Sequence, residues 1–193
     1  MITKYINKIK RKLGVPIIYK SETSKVRNLV EKYCIGYGCD IGFGGDKIMK
    51  DNCVGIDFAI PYAYTGKDAV DIACKIGHEE IPLPENTFDY VYSSHLIEDF
   101  VDTKFVLLDF IRVLKNGGNL ILVFPDQPKY ESHCNATGQP LNEYHVHKQM
   151  GFDFLINIFN TIQEIRYEVL FSSNCVIDYN VIIAIKINKN ENS

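Results

Sequence analysis

Downstream of residue 34, short apolar runs alternate with segments of helical periodicity. Tyr37–Ile41, Cys53–Phe58, Ala69–Ala73, Tyr90–Ser93 and Asn119–Phe124 have strand length and are almost continuously apolar, as strands buried on both faces of a parallel sheet are. Helix-like stretches fall near Asp46–Lys50, at Thr103–Leu114 and around Lys148–Asn160. Strands that alternate with helices predict an α/β domain with layers on both sides of the sheet. The last third changes character: Ile162–Phe171 and Val176–Ile187 both read as strands, and Ser172-Ser173-Asn174 leaves no room for a helix between them. Two strands joined so closely run antiparallel. The expectation is a doubly wound, seven-stranded sheet, mostly parallel, with an antiparallel C-terminal strand.

Two helices precede this pattern. Over residues 2–13, Ile2, Tyr5, Ile6, Ile9 and Leu13 share a face while Lys4, Lys8, Arg11 and Lys12 lie mostly off it. Such a helix suits an anionic surface or a lid with a solvated basic side; the lack of Trp or Phe anchors favours the lid. A second helix is expected over residues 22–33, with Ser21 as N-cap. This divides the chain into an N-terminal helical segment (1–33), an α/β domain (34–187) and a polar tail (188–193) expected to be disordered.

Composition narrows the function classes. The 193 residues suit one domain, and 46% hydrophobic with 23% charged residues is ordinary for a globular chain. A formal net charge of −3 argues against a large basic footprint for DNA. Cys34, Cys39, Cys53, Cys74, Cys134 and Cys175 form no CxxC pair, so free thiols in a reducing compartment are expected. No apolar run approaches the ~20 residues of a membrane span. The basic N-terminus is not followed by an apolar signal core. A cytoplasmic location is expected.

The most informative segment is Tyr37-Gly-Cys-Asp-Ile-Gly-Phe-Gly-Gly-Asp46, a strand running into a glycine turn. Glycines there let the backbone turn tightly and approach a ligand. The next strand ends at Asp57, about 20 residues beyond the start of the turn, the spacing at which an acid meets a ribose diol. A pyrophosphate-binding GxGxxG fails, since Lys47 holds the sixth position counted from Gly42. Asp46 would also set a negative charge against a pyrophosphate. A cofactor carrying an ammonium and a sulfonium suits the carboxylates better. A plain βα turn without a ligand is the alternative.

Further segments give this turn a context. Ile81-Pro-Leu-Pro-Glu-Asn-Thr-Phe-Asp-Tyr-Val-Tyr-Ser-Ser-His-Leu-Ile-Glu98 and Arg112-Val-Leu-Lys-Asn-Gly-Gly-Asn-Leu-Ile-Leu-Val123 resemble the fourth-strand region and the turn into the fifth strand of class I S-adenosylmethionine-dependent methyltransferases. With Asp40–Gly45 and Asp57 the matches occur in family order over roughly residues 34–125. The resemblance implies S-adenosylmethionine as cofactor. Asp40, Gly42 and Gly44 would line its methionine part, Asp57 would hold the ribose, and Phe58 would pack near adenine. The adenine-side position falls at Lys75-Ile76. Ser93 and His95 close a strand's C-terminal end, where open parallel sheets bind ligands. Lys75 stands where the family usually has an acid, Asp99 where a histidine often follows the glutamate, and Asn116 where a proline is usual.

The polar stretch 125–147 is expected to lie over the active-site edge as a long loop. It holds three of the five histidines, His133, His145 and His147. A catalytic base at His133 or His145, a metal site with Cys134, and ordinary structural histidines are the three readings; the ligand set for a metal is incomplete. Tyr144 and Lys148 resemble the Tyr-xxx-Lys pair of short-chain dehydrogenases, whose N-terminal glycine fingerprint is absent. The expected function is methyl transfer from S-adenosylmethionine to a small-molecule or saccharide-like acceptor. The alternatives are a non-catalytic cofactor-binding module on the same fold, or an NAD(P)-dependent oxidoreductase.

Overall fold

The computed structural model describes residues 20–61 and 66–190. The helix expected over 2–13 lies outside them. The described chain begins with α1 (Glu22–Val30). There Ser21 caps the first turn, its hydroxyl oxygen accepting the Ser24 N–H at 2.9 Å. β1 (Gly38–Ile41), β2 (Cys53–Asp57), β3 (Ile72–Ala73) and β4 (Phe88–Ser94) follow. Then come α2 (Thr103–Val113), β5 (Leu114–Pro125), α3 (Gln127–Thr137), α4 (Phe152–Phe159), β6 (Ile165–Val176) and β7 (Asn180–Lys189).

The sheet has seven strands in the order β3-β2-β1-β4-β5-β7-β6. All pairs are parallel except those of β7, which runs against both β5 and β6. The chain steps outward from β1 to β3 and then returns to place β4 on the other side of β1. This reversal of strand order opens a crevice at the C-terminal ends of β1 and β4. Alternation along each strand splits the core into two layers. Cys39, Ile41, Ile56, Val91, Leu120 and Leu122 pack with α2 (Val106, Leu107, Phe110) and α4 (Leu155, Phe159). Cys53, Tyr90, Tyr92, Ile121, Val123 and Ile182 pack with Val26 and Val30 of α1 and with Ile48. The part of segment 1–33 that is described is therefore a layer of the domain rather than an appendage to it.

Several elements differ from expectation. Residues 46–50 form no helix. Their backbone groups are committed elsewhere: Ile48 N–H donates to Asp40 Oδ2 at 2.7 Å, Lys47 N–H to Asp68 Oδ2 at 3.0 Å, and the Lys47 carbonyl accepts from Arg27 at 2.6 Å. The third strand shrinks to Ile72–Ala73 because the Asp71 carboxylate turns back to the Gly55 N–H (2.7 Å) and to Lys47 Nζ (2.9 Å). Ser172-Ser173-Asn174 lie inside β6, and the reversal comes at Ile177-Asp178-Tyr179, where Ile177 and Asp178 have left-handed backbones. β7 continues through Asn188 and Lys189, past the expected start of the tail. Residues 127–137, expected to be loop, form α3. It is capped by Asp126, whose carboxylate accepts the Lys129 N–H (3.2 Å), and it ends at Gly138 with φ +69°.

Candidate cofactor and acceptor site

β1 and β2 deliver two carboxylates to the crevice in different ways. Asp40 is fully enclosed beneath the turn. One of its oxygens accepts the Ile48 N–H and the other has no partner; burial pushes its pKa well above the carboxylate range. Asp57 ends β2, and its two oxygens accept the N–H groups of Gly44 (3.0 Å) and Phe58 (2.7 Å). Burial raises its pKa as well. Asp57 thus holds the glycine turn against the end of β2, with Phe58 half-buried beside it. Gly42 has φ +72°, which strains any residue with a side chain, and a Cβ there would stand 2.8 Å from the Leu96 side chain. Gly44 and Gly45 also have positive φ. Their carbonyls accept from Gly66 N–H (3.1 Å) and Asp68 N–H (2.8 Å).

The charge of Asp46 is answered outside the turn. It pairs with Arg27 at 2.7 Å, with Lys50 at 3.4 Å, and accepts from the Ser21 hydroxyl. Lys47 and Lys50 are engaged by Asp71 and Asp68. The turn therefore offers backbone and carboxylates, with Lys47 and Lys50 held by acids beside it. That fits a cofactor that is itself cationic. Lys75 is exposed, Ile76 is buried, and the Lys75 N–H donates to Glu79 Oε1 at 2.8 Å. Glu79 thus folds its carboxylate back onto the Lys75 backbone.

At the end of β4, Ser93 is buried and its hydroxyl donates to the Ile41 carbonyl at 2.8 Å, tying β4 to β1 across the crevice. His95 follows in a left-handed backbone conformation (φ +53°). Its Nε2 meets Asn180 Oδ1 at 2.8 Å and its Nδ1 lies 3.3 Å from Glu98 Oε1. His145 approaches the same Glu98 oxygen at 3.7 Å through Nε2, while its Nδ1 meets Gln127 Oε1 at 2.8 Å. The Tyr130 ring lies 4.7 Å from that of His145 and 5.0 Å from that of Tyr179. The Tyr179 ring is edge-on to His95 at 6.0 Å and to His133 at 5.2 Å. Burial shifts His145 below its usual pKa. Burial also acts against protonation of His95, yet Glu98 and Glu22 outweigh it and raise that pKa.

The structure thus separates the expected site residues into two groups. Gly42, Gly44, Asp57, Phe58 and Ser93 gather at the ends of β1, β2 and β4, with Asp40 beneath them. His95, expected on the cofactor side, joins His145 in a cluster with Glu98; His133 touches that cluster only through Tyr179. His147 is committed to the α2 entry, its Nε2 lying 2.7 Å from the Phe100 carbonyl and 2.9 Å from Thr103 Oγ1. Tyr144 is 58% exposed and Lys148 pairs with Glu131 at 3.5 Å, which gives the dehydrogenase-like pair no support. Among the described residues, no group of three or more His, Cys, Asp or Glu side chains is arranged to hold a metal ion. Nor is any helix among them long and apolar enough to cross a membrane. Glu98, Glu22, Gln127 and Tyr179 were missed in the sequence, because only the fold brings α1, β4, α3 and β7 together.

Fold and turn together define a Rossmann-like domain for a nucleoside-type cofactor. A family model described as a methyltransferase domain matches residues 32–122. Phosphoethanolamine N-methyltransferase of Triticum aestivum is 31% identical over 127 residues, covering 60% of this chain and 23% of that protein. The chain spans about a quarter of the length of the plant relatives it matches. A protein of Methanocaldococcus jannaschii described as uncharacterized is 27% identical over 117 residues, covering 59% of this chain and 55% of its own. Among solved structures, an S-adenosylmethionine-dependent methyltransferase of Thermotoga maritima, described as a possible histamine N-methyltransferase, superposes with a TM-score of 0.63. It is 16% identical and covers 95% of this chain and 96% of its own, a likeness of fold. Residues 32–122 match the methyltransferase-domain family, and the fold is that of S-adenosylmethionine-dependent methyltransferases, whose cofactor is S-adenosylmethionine.

Proposed function

We propose that this protein transfers a methyl group from S-adenosylmethionine to a small-molecule acceptor. The observation that carries the reading is the adjacency of two sites at one sheet edge. A carboxylate-bearing glycine turn lies at the ends of β1 and β2, and a buried His–Glu–Tyr cluster lies beyond β4. In this reading Gly42 and Gly44 approach the methionine part, Asp57 receives the ribose hydroxyls, and Phe58 and Ile76 flank the adenine. Asp40 acts from below by holding the loop at Ile48. The cofactor supplies an activated methyl group on a sulfonium. The protein's part is alignment, which is worth up to about 7–11 kcal/mol in well-oriented reactions. His145 and His133 remain the candidates for proton handling from the sequence, with His95 a further one. The named relatives support a nitrogen acceptor over a saccharide-like one, since phosphoethanolamine and histamine are both amines.

The test is transfer of label from methyl-labelled S-adenosylmethionine to a panel of amines, alcohols and saccharides. Product from a small molecule, lost in Asp57→Ala, supports the reading. Tight binding of S-adenosylhomocysteine without turnover on any acceptor would favour the cofactor-binding module instead.

A further inference from the structure

The two edges of the sheet are unlike. β3 closes one side with two residues, too short to recruit another strand. β6 closes the other with twelve, Ile165–Val176. Among the described residues, no backbone group hydrogen-bonds to its outer side over 165–169. The Glu164 carbonyl accepts the Asn190 N–H at 2.9 Å, and Arg166 and Glu168 stand opposite Asn188 and Lys186. Hydrogen bonding alternates along an antiparallel pair, so Glu164, Arg166 and Glu168 turn their backbone groups toward β7. Ile165, Tyr167 and Val169 therefore turn theirs outward.

Free edges usually carry a device against pairing, such as a bulge, a covering element or an unanswered charge. The nearest bulge of β6 lies beyond Val169 and leaves the run 165–169 regular. Val169 and Leu170 are 42% and 37% exposed. Arg166 and Glu168 are exposed on the face opposite Ile165 and Tyr167. Neither has an ion pair or a side-chain hydrogen bond among the described residues.

These charges are complementary to themselves. A two-fold axis through the edge sets two β6 strands antiparallel, with outward-facing residues opposite one another. With Tyr167 on the axis, Ile165 meets Val169 of the second copy and Arg166 meets its Glu168. The relation is reciprocal, so both charge pairs form at once. Each Glu168 then lies between Arg166 of the other copy and its own Lys186. The next allowed slide in either direction sets Arg166 against Arg166 or Glu168 against Glu168, which like charges oppose. A longer slide runs off the start of the strand at Ile165 or draws in the bulge at Leu170. One register satisfies the backbone, the charges and the exposed Val169 together.

We propose that this protein pairs with a second copy of itself through β6, the two sheets joining edge to edge about an axis at Tyr167. The outward backbone groups of Ile165, Tyr167 and Val169 make the hydrogen bonds, and Arg166 and Glu168 fix the register. β5 and β7 separate the joint from β4, so each copy keeps its own crevice.

The experiment is sedimentation velocity on the full chain over a concentration series, with Arg166→Glu, Glu168→Arg and an equal mixture of the two variants. Thermal unfolding of each variant checks that it is folded. The wild type is expected to dimerise with concentration. Each variant alone sets like charges at both contacts and should weaken the dimer by about tenfold or more. In the mixture one copy offers two acids and the other two bases, so a heterodimer should form at wild-type concentrations. Hydrogen exchange at the amides of Ile165, Tyr167 and Val169 should slow in the wild type and in the mixture, but in neither variant alone. A chain that stays monomeric up to about 1 mM overturns the proposal. So does a dimer unmoved by both charge reversals, or a mixture of folded variants that fails to pair. Protection of those amides in a monomer would also overturn it, since another part of the same chain would then occupy the edge.

Discussion

Arg27→Ala removes a clamp that stands in for a missing helix. The guanidinium donates to the carbonyls of Lys47 and Ile48 and to Asp46 Oδ1. It therefore fixes the segment that leads out of the glycine turn where no helical ladder does so. Hydrogen bonds from a charged donor contribute roughly 1.5–3 kcal/mol each in favourable settings. The Arg27 and Asp46 side chains keep 23% and 19% of their exposure, so screening trims the ion-pair share. A loss of about 2–4 kcal/mol is expected, which lowers Tm by about 4–16 °C at this chain length. Arg27 also draws the Asp40 pKa down against the burial that raises it, so the damage extends under the turn. Where the turn holds its binding geometry only part of the time, the apparent cofactor Kd rises by the reciprocal of that fraction. About 1.4 kcal/mol of local destabilisation gives a tenfold rise. Thermal unfolding and titration with S-adenosylhomocysteine measure both effects. Arg27→Lys, with one ammonium for a three-way contact, should fall between the two. An unchanged Tm together with an unchanged Kd in Arg27→Ala would refute the clamp.

Three further outcomes are expected. Gly42→Ala forces a left-handed alanine into the Leu96 side chain, at about 1–2 kcal/mol for the backbone alone, and adding Leu96→Ala should recover only the steric part; full recovery in Tm would show that φ is not the constraint. The pKa of His95 is raised in the fold above its ordinary 6.5, so its contribution to stability is complete below pH 6.5 and is lost as pH rises through the folded value. Denaturant unfolding between pH 6 and 9 should therefore fall more steeply for the wild type than for His95→Gln, and parallel slopes would contradict the ion cluster. Cys175 is the half-buried thiol among five buried ones, so a thiol reagent should modify one cysteine rapidly in the native state, and Cys175→Ser should abolish that phase.

The parallel strands were readable because burial on both faces makes them continuously apolar, as Cys39–Ile41 and Tyr90–Tyr92 are. The final hairpin was readable from its short connection, though not its turn, since left-handed Ile177 and Asp178 carry no glycine signal. α3 was hidden because Gln127–Thr137 has only Tyr130 and Cys134 as buried apolar side chains and so lacks an apolar stripe; its Asp126 cap and Gly138 stop were present to be read. The apparent helix at Asp46–Lys50 failed because tertiary partners claimed its backbone groups. Gly42, Gly44 and Asp57 are close in sequence and follow strand ends, so their meeting at the crevice was legible. The His–Glu cluster beyond β4 was not. Glu22, Glu98, His145 and Tyr179 come from four distant segments, and no spacing rule connects them.

The central claim is that the crevice over β1, β2 and β4 binds S-adenosylmethionine through the glycine turn and Asp57. Calorimetric titration with S-adenosylmethionine and S-adenosylhomocysteine, beside NAD and an Asp57→Ala variant, tests it most directly. Both sulfur ligands should bind, NAD should not, and Asp57→Ala should weaken the sulfur ligands by about 1.5–3 kcal/mol, the loss of hydrogen bonds to a charged group. NAD binding, or sulfur-ligand affinities untouched by Asp57→Ala in a folded variant, would contradict the account.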